Sequence, residues 1–303
     1  MIKNTSRRNC LLAGFACLNL AAAPLALADI RVQDDAGRTV RLEQPAQRIV
    51  SLAPHVTELL FAAGAGNKLA AVTDYSDYPE AAKKIPSIGN IFALDLERLL
   101  AIKPDLIVIW GTGNARVLAE KLRGHHLVVY ESEPRNYEMI ASSIEKLGKL
   151  AGSEKEAQQF SSEFRQRLQK LRQTYQLAPN TPAVGVFYQM IQRPLMTPND
   201  QHMISAAIRL CGGKNVFGHL KDFSATISQE AVLAANPDML LTSGENTESL
   251  ASWKQFSMLN AVRKQQMYAI KGDWLNRSGP RILDATEALC QHISTARKKM
   301  QEK

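Results

Sequence analysis

Two segments of this 303-residue chain repeat one pattern, and that repetition limits the fold more than any other feature. The first reads Asp95-Leu-Glu97-Arg-Leu-Leu-Ala-Ile-Lys-Pro104-Asp105-Leu-Ile-Val-Ile-Trp110-Gly111. The second, 133 residues later, reads Ser228-Gln-Glu230-Ala-Val-Leu-Ala-Ala-Asn-Pro237-Asp238-Met-Leu-Leu-Thr-Ser243-Gly244. Glu, Pro-Asp and Gly keep the same spacing, with a short helical pattern before Pro-Asp and an apolar strand pattern after it. Pro-Asp alone fits any α/β unit, because proline stops the helix and aspartate favours the turn. Three landmarks in register point further, to a duplication into two similar lobes.

The rest of the chain fits that plan. From Arg48 strand and helix signals alternate: Ile49–Leu52 reads as strand, Val56–Ala63 as helix ending at Gly64, Leu69–Val72 and Leu127–Tyr130 as strands. Such alternation implies mainly parallel sheets. Between Ser153 and Leu177 the apolar residues Phe160, Phe164, Leu168, Leu171 and Tyr175 recur at helical spacing, and Ser153 with Glu156 has the form of a capping box. This predicts one helix of roughly 36 Å, long enough to join two lobes along their backs. After Pro179 and Pro182 the alternation resumes with Ala183–Phe187, a helix over 201–210, Met267–Ile270 and a last helix from Pro280. The expected architecture is α/β: two similar lobes with mainly parallel sheets, residues 29–152 and 179–303, joined by a backbone helix over 153–178.

Residues 1–28 read as a cleaved export signal. Lys3, Arg7 and Arg8 precede an apolar run ending Ala26-Leu27-Ala28, a small-x-small cleavage pattern. A membrane anchor fits less well because Asn19 and Pro24 interrupt the run, and a lipid anchor at Cys17 lacks the usual leucine-led approach. The segment carries three of the chain's 37 Lys and Arg and none of its 29 Asp and Glu. The mature chain therefore holds 34 basic against 29 acidic residues, about +5, with charges interspersed. No nucleic-acid footprint is indicated. Of four cysteines, Cys211 and Cys290 remain after cleavage. In an oxidising compartment they form one disulfide or stand as two buried thiols.

Ligands of open α/β sheets bind beyond the carboxyl ends of the strands. That rule selects Ala53-Pro54-His55, Thr73-Asp74-Tyr75 and Trp110-Gly111-Thr112-Gly113 from the first lobe. From the second it selects Tyr188-Gln189-Met190, Thr242-Ser243-Gly244 and Asp273-Trp274, with Arg277 close behind. Tyr75 and Trp110 offer broad apolar faces with a polar handle, and core packing would use the same side chains. Asp273 and Arg277 either pair across one helical turn or reach separately to ligand amides or carboxylates. Catalytic and metal motifs are absent: the sequence holds no Gly-x-Ser-x-Gly, no phosphate loop, no His-Glu-x-x-His and no Cys-x-x-Cys. Of six histidines, His55 alone falls at an expected strand end.

At these residues the chain resembles the helical-backbone class of substrate-binding proteins that serve bacterial ABC importers for cobalamin, haem and ferric siderophores. Asp34–Val40 and Pro45–Pro54 are similar to the whole class. Tyr75-Ser-Asp-Tyr-Pro79, Leu96-Glu97-Arg98, Lys103-Pro-Asp105, Trp110, Cys211–Phe217, Glu230 and Asp273–Arg281 resemble its cobalamin-binding members, in order along nearly the whole mature chain. The resemblance implies a periplasmic, monomeric carrier with cobalamin as its transported ligand and no catalytic cofactor. It implies that Tyr75, Trp110, Asp273 and Arg277 face the corrinoid and that Cys211 and Cys290 are bonded. It also implies that Glu97 and Glu230 dock on arginines of the importer's membrane subunits. Each glutamate also follows a candidate N-cap by two residues, where the helix dipole alone favours a carboxylate by about 0.3–1 kcal/mol.

The chain departs from that pattern in four places. Gly89–Ala93 offers only Phe92 where relatives carry tryptophan, Phe223-Ser224 stands at a second tryptophan position, Met190 replaces a pocket aromatic, and His55 replaces a small residue. The same cleft could thus hold haem or a siderophore, and an enzyme on a similar bilobed frame is the alternative from another class.

Overall fold

The computed structural model describes residues 1, 29–90, 92–111 and 114–301. The expected export signal lies, but for its first residue, outside them. Each lobe is built on a four-stranded parallel sheet. The first has β1 (Ile49–Ser51), β2 (Leu69–Val72), β3 (Leu106–Trp110) and β4 (Val129–Ser132), and the second has β5 (Val184–Gln189), β6 (Gly213–Asn215), β7 (Met239–Ser243) and β8 (Met267–Ile270). The spatial orders are β2-β1-β3-β4 and β6-β5-β7-β8, one topology used twice. Ile49 pairs with Leu106 and Ser51 with Val108 in the first sheet, as Val186 pairs with Met239 and Gln189 with Thr242 in the second. Helices covering both faces explain the unbroken apolar runs: Leu106, Ile107, Val108 and Ile109 are all fully buried.

The repeated segments make corresponding hydrogen bonds in their turns. Helices α1 (Pro54–Ala62) and α2 (Leu96–Ile102) lie in the first lobe; α3 (Asn114–Gly124), α4 (Tyr137–Ala151), α5 (Glu154–Thr174), α6 (Met203–Leu210) and α7 (Gln229–Ala235) follow. In α2 the Asp95 side chain accepts the Arg98 N–H at 2.9 Å, and in α7 Ser228 accepts the Ala231 N–H at 3.2 Å. Lys103 and Asn236 end the two helices with positive φ, 51° and 41°. Asp105 then accepts the N–H groups of Gln47 and Arg48, and Asp238 that of Gly185. In both lobes the aspartate of Pro-Asp therefore holds the start of the sheet's first strand, and the motif has a structural purpose beyond its turn.

Helix α5 turns Ala157, Ser161, Phe164, Leu168 and Leu171 inward. Its 21 residues give about 31 Å, shorter than the expected 36 Å. The capping box does not form. The Ser153 hydroxyl instead donates to the Ala63 carbonyl at 2.5 Å, satisfying a buried acceptor at the end of α1. There Gly64 has φ +75°, and a Cβ on it would lie 2.8 Å from Glu156 Cβ, so the turn requires glycine. Strand β4 sits two residues beyond the expected Leu127–Tyr130, because the carboxylate of Glu131 is buried against Arg123 at 2.8 Å.

The chain finishes with short helices α8 (Asn260–Arg263) and α9 (Gly272–Leu275) and the long α10 (Ile282–Gln301). One apolar cluster runs through both lobes, from Val40 and Ile49 to Leu289 and Ala296. Tyr137 of α4 bonds Thr286 of α10 at 2.7 Å, and Arg167 of α5 pairs with Asp284 at 2.6 Å. The lobes thus share a core along their backs, which makes their junction stiff. Cys211, at the end of α6, is bonded to Cys290 of α10 across 79 residues. Closing a loop of that length removes about 4.5 kcal/mol of unfolded-chain entropy in the simplest model.

Candidate ligand-binding cleft

The carboxyl ends of both sheets face one cavity of about 750 Å³. The first lobe supplies Ala53, Pro54, His55, Phe92, Trp110, Glu133 and Pro134 to its walls, and the second supplies Tyr188, Met190, Ile191, His202, Phe223 and Arg277. The volume and mainly apolar lining suit a bulky organic ligand held by few polar groups.

Trp110 ends β3 and is 47% exposed, although the four residues before it are fully buried. Trp110 is still paired with Ser132 at the carboxyl end of the sheet, where its ring meets the cleft instead of a covering helix. The corresponding position of the second lobe is Ser243, which accepts a bond from Asn276 at 2.9 Å. Asn276 also accepts the Tyr188 hydroxyl at 2.9 Å and lines the cavity. The duplicated frame thus carries an aromatic face on one side and a hydrogen-bonded polar group on the other.

His55 occupies the first turn of α1 and stands edge-on to Trp110, ring centres 6.1 Å apart. It is 7% exposed, and its Nε2–H donates to the Ser132 carbonyl at 3.4 Å. Burial, aided by the positive charge of Arg277 and opposed by the Ser132 bond, lowers its pKa to about 4. The ring is neutral at pH 7, with Nδ1 left as an acceptor. His202, which sequence reasoning set among the scattered histidines, lies in the opposite wall. Its Nδ1 accepts the Ile204 N–H at 3.2 Å as the N-cap of α6, so the proton of the neutral ring sits on Nε2. Burial lowers its pKa to about 4 as well. Phe223 packs against it with the rings tilted, centres 4.8 Å apart, and meets Arg135 of the other lobe at 5.2 Å.

Arg277 and Asp273 pair at 3.1 Å across one helical turn, the first of the two arrangements open from sequence. Arg277 does more than that. Its guanidinium reaches Glu58 at 3.2 Å, Asp77 at 2.7 Å and the Tyr75 carbonyl at 3.1 Å, all in the first lobe. Arg281 forks onto the same Glu58 at 3.0 and 2.6 Å and packs over the Tyr78 ring at 4.1 Å. Glu58, 3% exposed, is thus a buried carboxylate neutralised by two arginines from the other lobe.

Of the six expected ligand residues, His55, Trp110, Met190 and Arg277 share the cavity wall. Tyr75 lies outside it, 78% exposed with φ +64°, and Asp273 is likewise an exposed neighbour tied to the site through Arg277. Thr112 and Gly113 lie outside the described residues. Glu97 and Glu230 are exposed in the first turns of α2 and α7. Bonds to its own backbone N–H and to Ser228 hold the Glu230 carboxyl below its ordinary pKa. Among the described residues no group of three or more His, Cys, Asp or Glu is arranged to hold a metal ion.

The chain is 39% identical over 255 residues to a vitamin B12-binding protein of Vibrio cholerae serotype O1, covering 84% of this chain and 91% of that one. The crystal structure of the periplasmic vitamin B12 binding protein BtuF of Vibrio cholerae superposes with a TM-score of 0.76 at 38% identity, over 84% of this chain and 99% of BtuF. The periplasmic heme binding protein HutB of the same organism shares the fold alone, with a TM-score of 0.68 at 22% identity over 81% of this chain and 98% of HutB. The family model described as periplasmic binding protein matches residues 49–274, from the first strand of one lobe through α9 of the other, and the chain belongs to that family.

Proposed function

We propose that this protein captures cobalamin between its lobes in the periplasm and hands it to the membrane subunits of an ABC importer, with no covalent chemistry of its own. The observation that carries this reading is the apolar cavity of about 750 Å³ between two stiffly joined lobes, floored by strand ends and faced by Trp110. A preformed cleft spares the cost of ordering loops, so buried apolar area is converted to affinity with little loss. A wide planar corrin suits the Trp110 face. Neutral His55 and His202, with Asn276 and Arg277, supply the few polar contacts that orient it. Met190 lines the second lobe's wall, and Tyr75 and Asp273 stand beside the cavity, tied to it through Arg277.

Cobalt on this reading is cargo and arrives inside the ligand. Residues 1–28 direct export and are removed, leaving a monomer that meets the importer through Glu97 and Glu230. Their matched places, each in the first turn of equivalent helices, suit a partner that presents basic groups to both lobes. Isothermal titration with cyanocobalamin tests the proposal. One site per chain with submicromolar affinity is expected; no heat and no binding at micromolar concentration would refute it.

A further inference from the structure

Arg277 is the one cation among the described residues that line the main cavity. The other charged group there, Glu133, faces Arg135 at 3.5 Å, and His55 and His202 are neutral at pH 7. What the wall offers a charged ligand therefore depends on how far Arg277 is already satisfied. Its Nη1 donates to Glu58 at 3.2 Å and to Asp77 at 2.7 Å, while its Nη2 donates to the Tyr75 carbonyl and pairs with Asp273, both at 3.1 Å. Those contacts occupy the N–H groups of both terminal nitrogens. We propose that Glu58, aided by Asp77, is a positioning residue that sets ligand specificity through Arg277. It holds the guanidinium in the wall with its charge already matched, so that the cleft accepts ligands edged with uncharged amides and rejects those edged with carboxylates. This rests on the corrinoid reading, because a corrin edged with carboxamides and a porphyrin carrying propionates differ in that respect.

The ion cluster holds two cations, Arg277 and Arg281, against three carboxylates, Glu58, Asp77 and Asp273, which leaves one negative charge in excess. Its centre is dry: the two arginine side chains are 11% and 13% exposed, and Glu58 is buried between them. Gly279 lets the second lobe's backbone close over that carboxylate, for a Cβ there would stand 3.2 Å from Glu58 Oε2. Asp77 and Asp273 are half-exposed and complete the count from outside. Although burial pulls the other way, the bond and the positive charge of Arg277 hold the Asp77 carboxyl below its ordinary pKa, so it is ionised at pH 7. A ligand carboxylate brought to Arg277 must displace one of these partners or stand beside them as a further like charge. A neutral amide meets no such repulsion, and discrimination built on repulsion of the wrong partner needs no extra contact to the right one.

The test measures the affinities of cyanocobalamin and of cobyrinic acid, the corrin whose peripheral side chains all end in carboxylates, at pH 7 on wild type, Glu58→Gln and Asp77→Asn. With carboxylates all round its edge, the acid presents one to Arg277 whichever way it lies. Wild type should prefer cyanocobalamin by at least about a hundredfold; Glu58→Gln, which keeps shape and removes charge, should narrow that ratio by at least about tenfold, and Asp77→Asn by about threefold. Asp77 is exposed enough to be replaced without loss of the fold, so the second variant stands if the first does not fold. The ratio separates specificity from structure, because general damage to the cleft weakens both ligands together and leaves it unchanged. A ratio that stays within about twofold of wild type in the folded variants, or a wild type that binds the acid as tightly as cyanocobalamin, overturns the proposal. Failure of cyanocobalamin itself to bind wild type would instead overturn the corrinoid reading on which it rests.

Discussion

Acidification should destabilise this protein through His55, and a substitution there should remove that sensitivity. The folded pKa is about 4 against an ordinary 6.5, because the charged ring would be buried beside Arg277. Above about pH 6.5 the ring is neutral in both folded and unfolded chains, so it contributes no pH dependence. As pH falls below that value the unfolded chain takes up a proton that the folded chain refuses, and stability declines. At pH 5 the loss is about 2 kcal/mol, and below pH 4, where both states are charged, it levels near ~3 kcal/mol. His202 acts in the same direction. The assay is urea denaturation at pH 8, 6 and 5 for wild type and His55→Gln. The variant loses packing and the Ser132 bond, a cost that is the same at every pH. The informative quantity is the change in the wild-type-minus-variant difference, which should shrink by about 2 kcal/mol between pH 8 and pH 5. A difference constant within error would mean that His55 titrates normally and is neither buried nor desolvated as described.

Three further outcomes follow from named contacts. Trp110→Ala should weaken cobalamin binding by about 1 kcal/mol or more, read by titration, since aromatic anchors dominate binding surfaces; unchanged affinity would return the ring to a packing role. Glu58→Ala should cost about 3 kcal/mol in chemical denaturation, because Arg281 would lose its paired carboxylate while Arg277 keeps only Asp77 and Asp273, and a loss below about 1 kcal/mol would deny the burial of the cluster. Replacing Glu97 and Glu230 together by Ala should leave cobalamin affinity intact but impair uptake by cells or by importer in vesicles; normal uptake would refute docking through these groups.

The repeat was legible because its signals are local. Asp95 and Ser228 cap their helices through their own side chains, and the αL residue, Pro-Asp and the start of the strand follow within eleven positions. The strand-end rule found His55, Trp110 and Met190 for the same reason: each lies within a few residues of an apolar run. His202, Phe223 and Glu58 were missed because they reach the cleft by other routes. His202 enters as an N-cap, a role for which serine, threonine, asparagine and aspartate are the usual markers. Phe223 borders the three-residue strand Ser224–Thr226, too short to show a period. Glu58 reads as the polar face of an amphipathic helix, and only the approach of Arg277 and Arg281 from the other lobe, over 200 residues away, allows its burial. Glu131 misled the placement of β4 for a related reason, its charge being matched by Arg123 of α3. Long-range ion pairs leave no mark on local hydropathy.

The proposed cleft selects a corrinoid on a frame shared with heme-binding proteins. Equilibrium dialysis of the purified mature chain against cyanocobalamin and haem together, with each bound fraction read from its own absorption bands, tests it most directly. One cobalamin per chain, retained in the presence of equimolar haem, is the expected result. Haem bound in its place, with cobalamin left free, would contradict it.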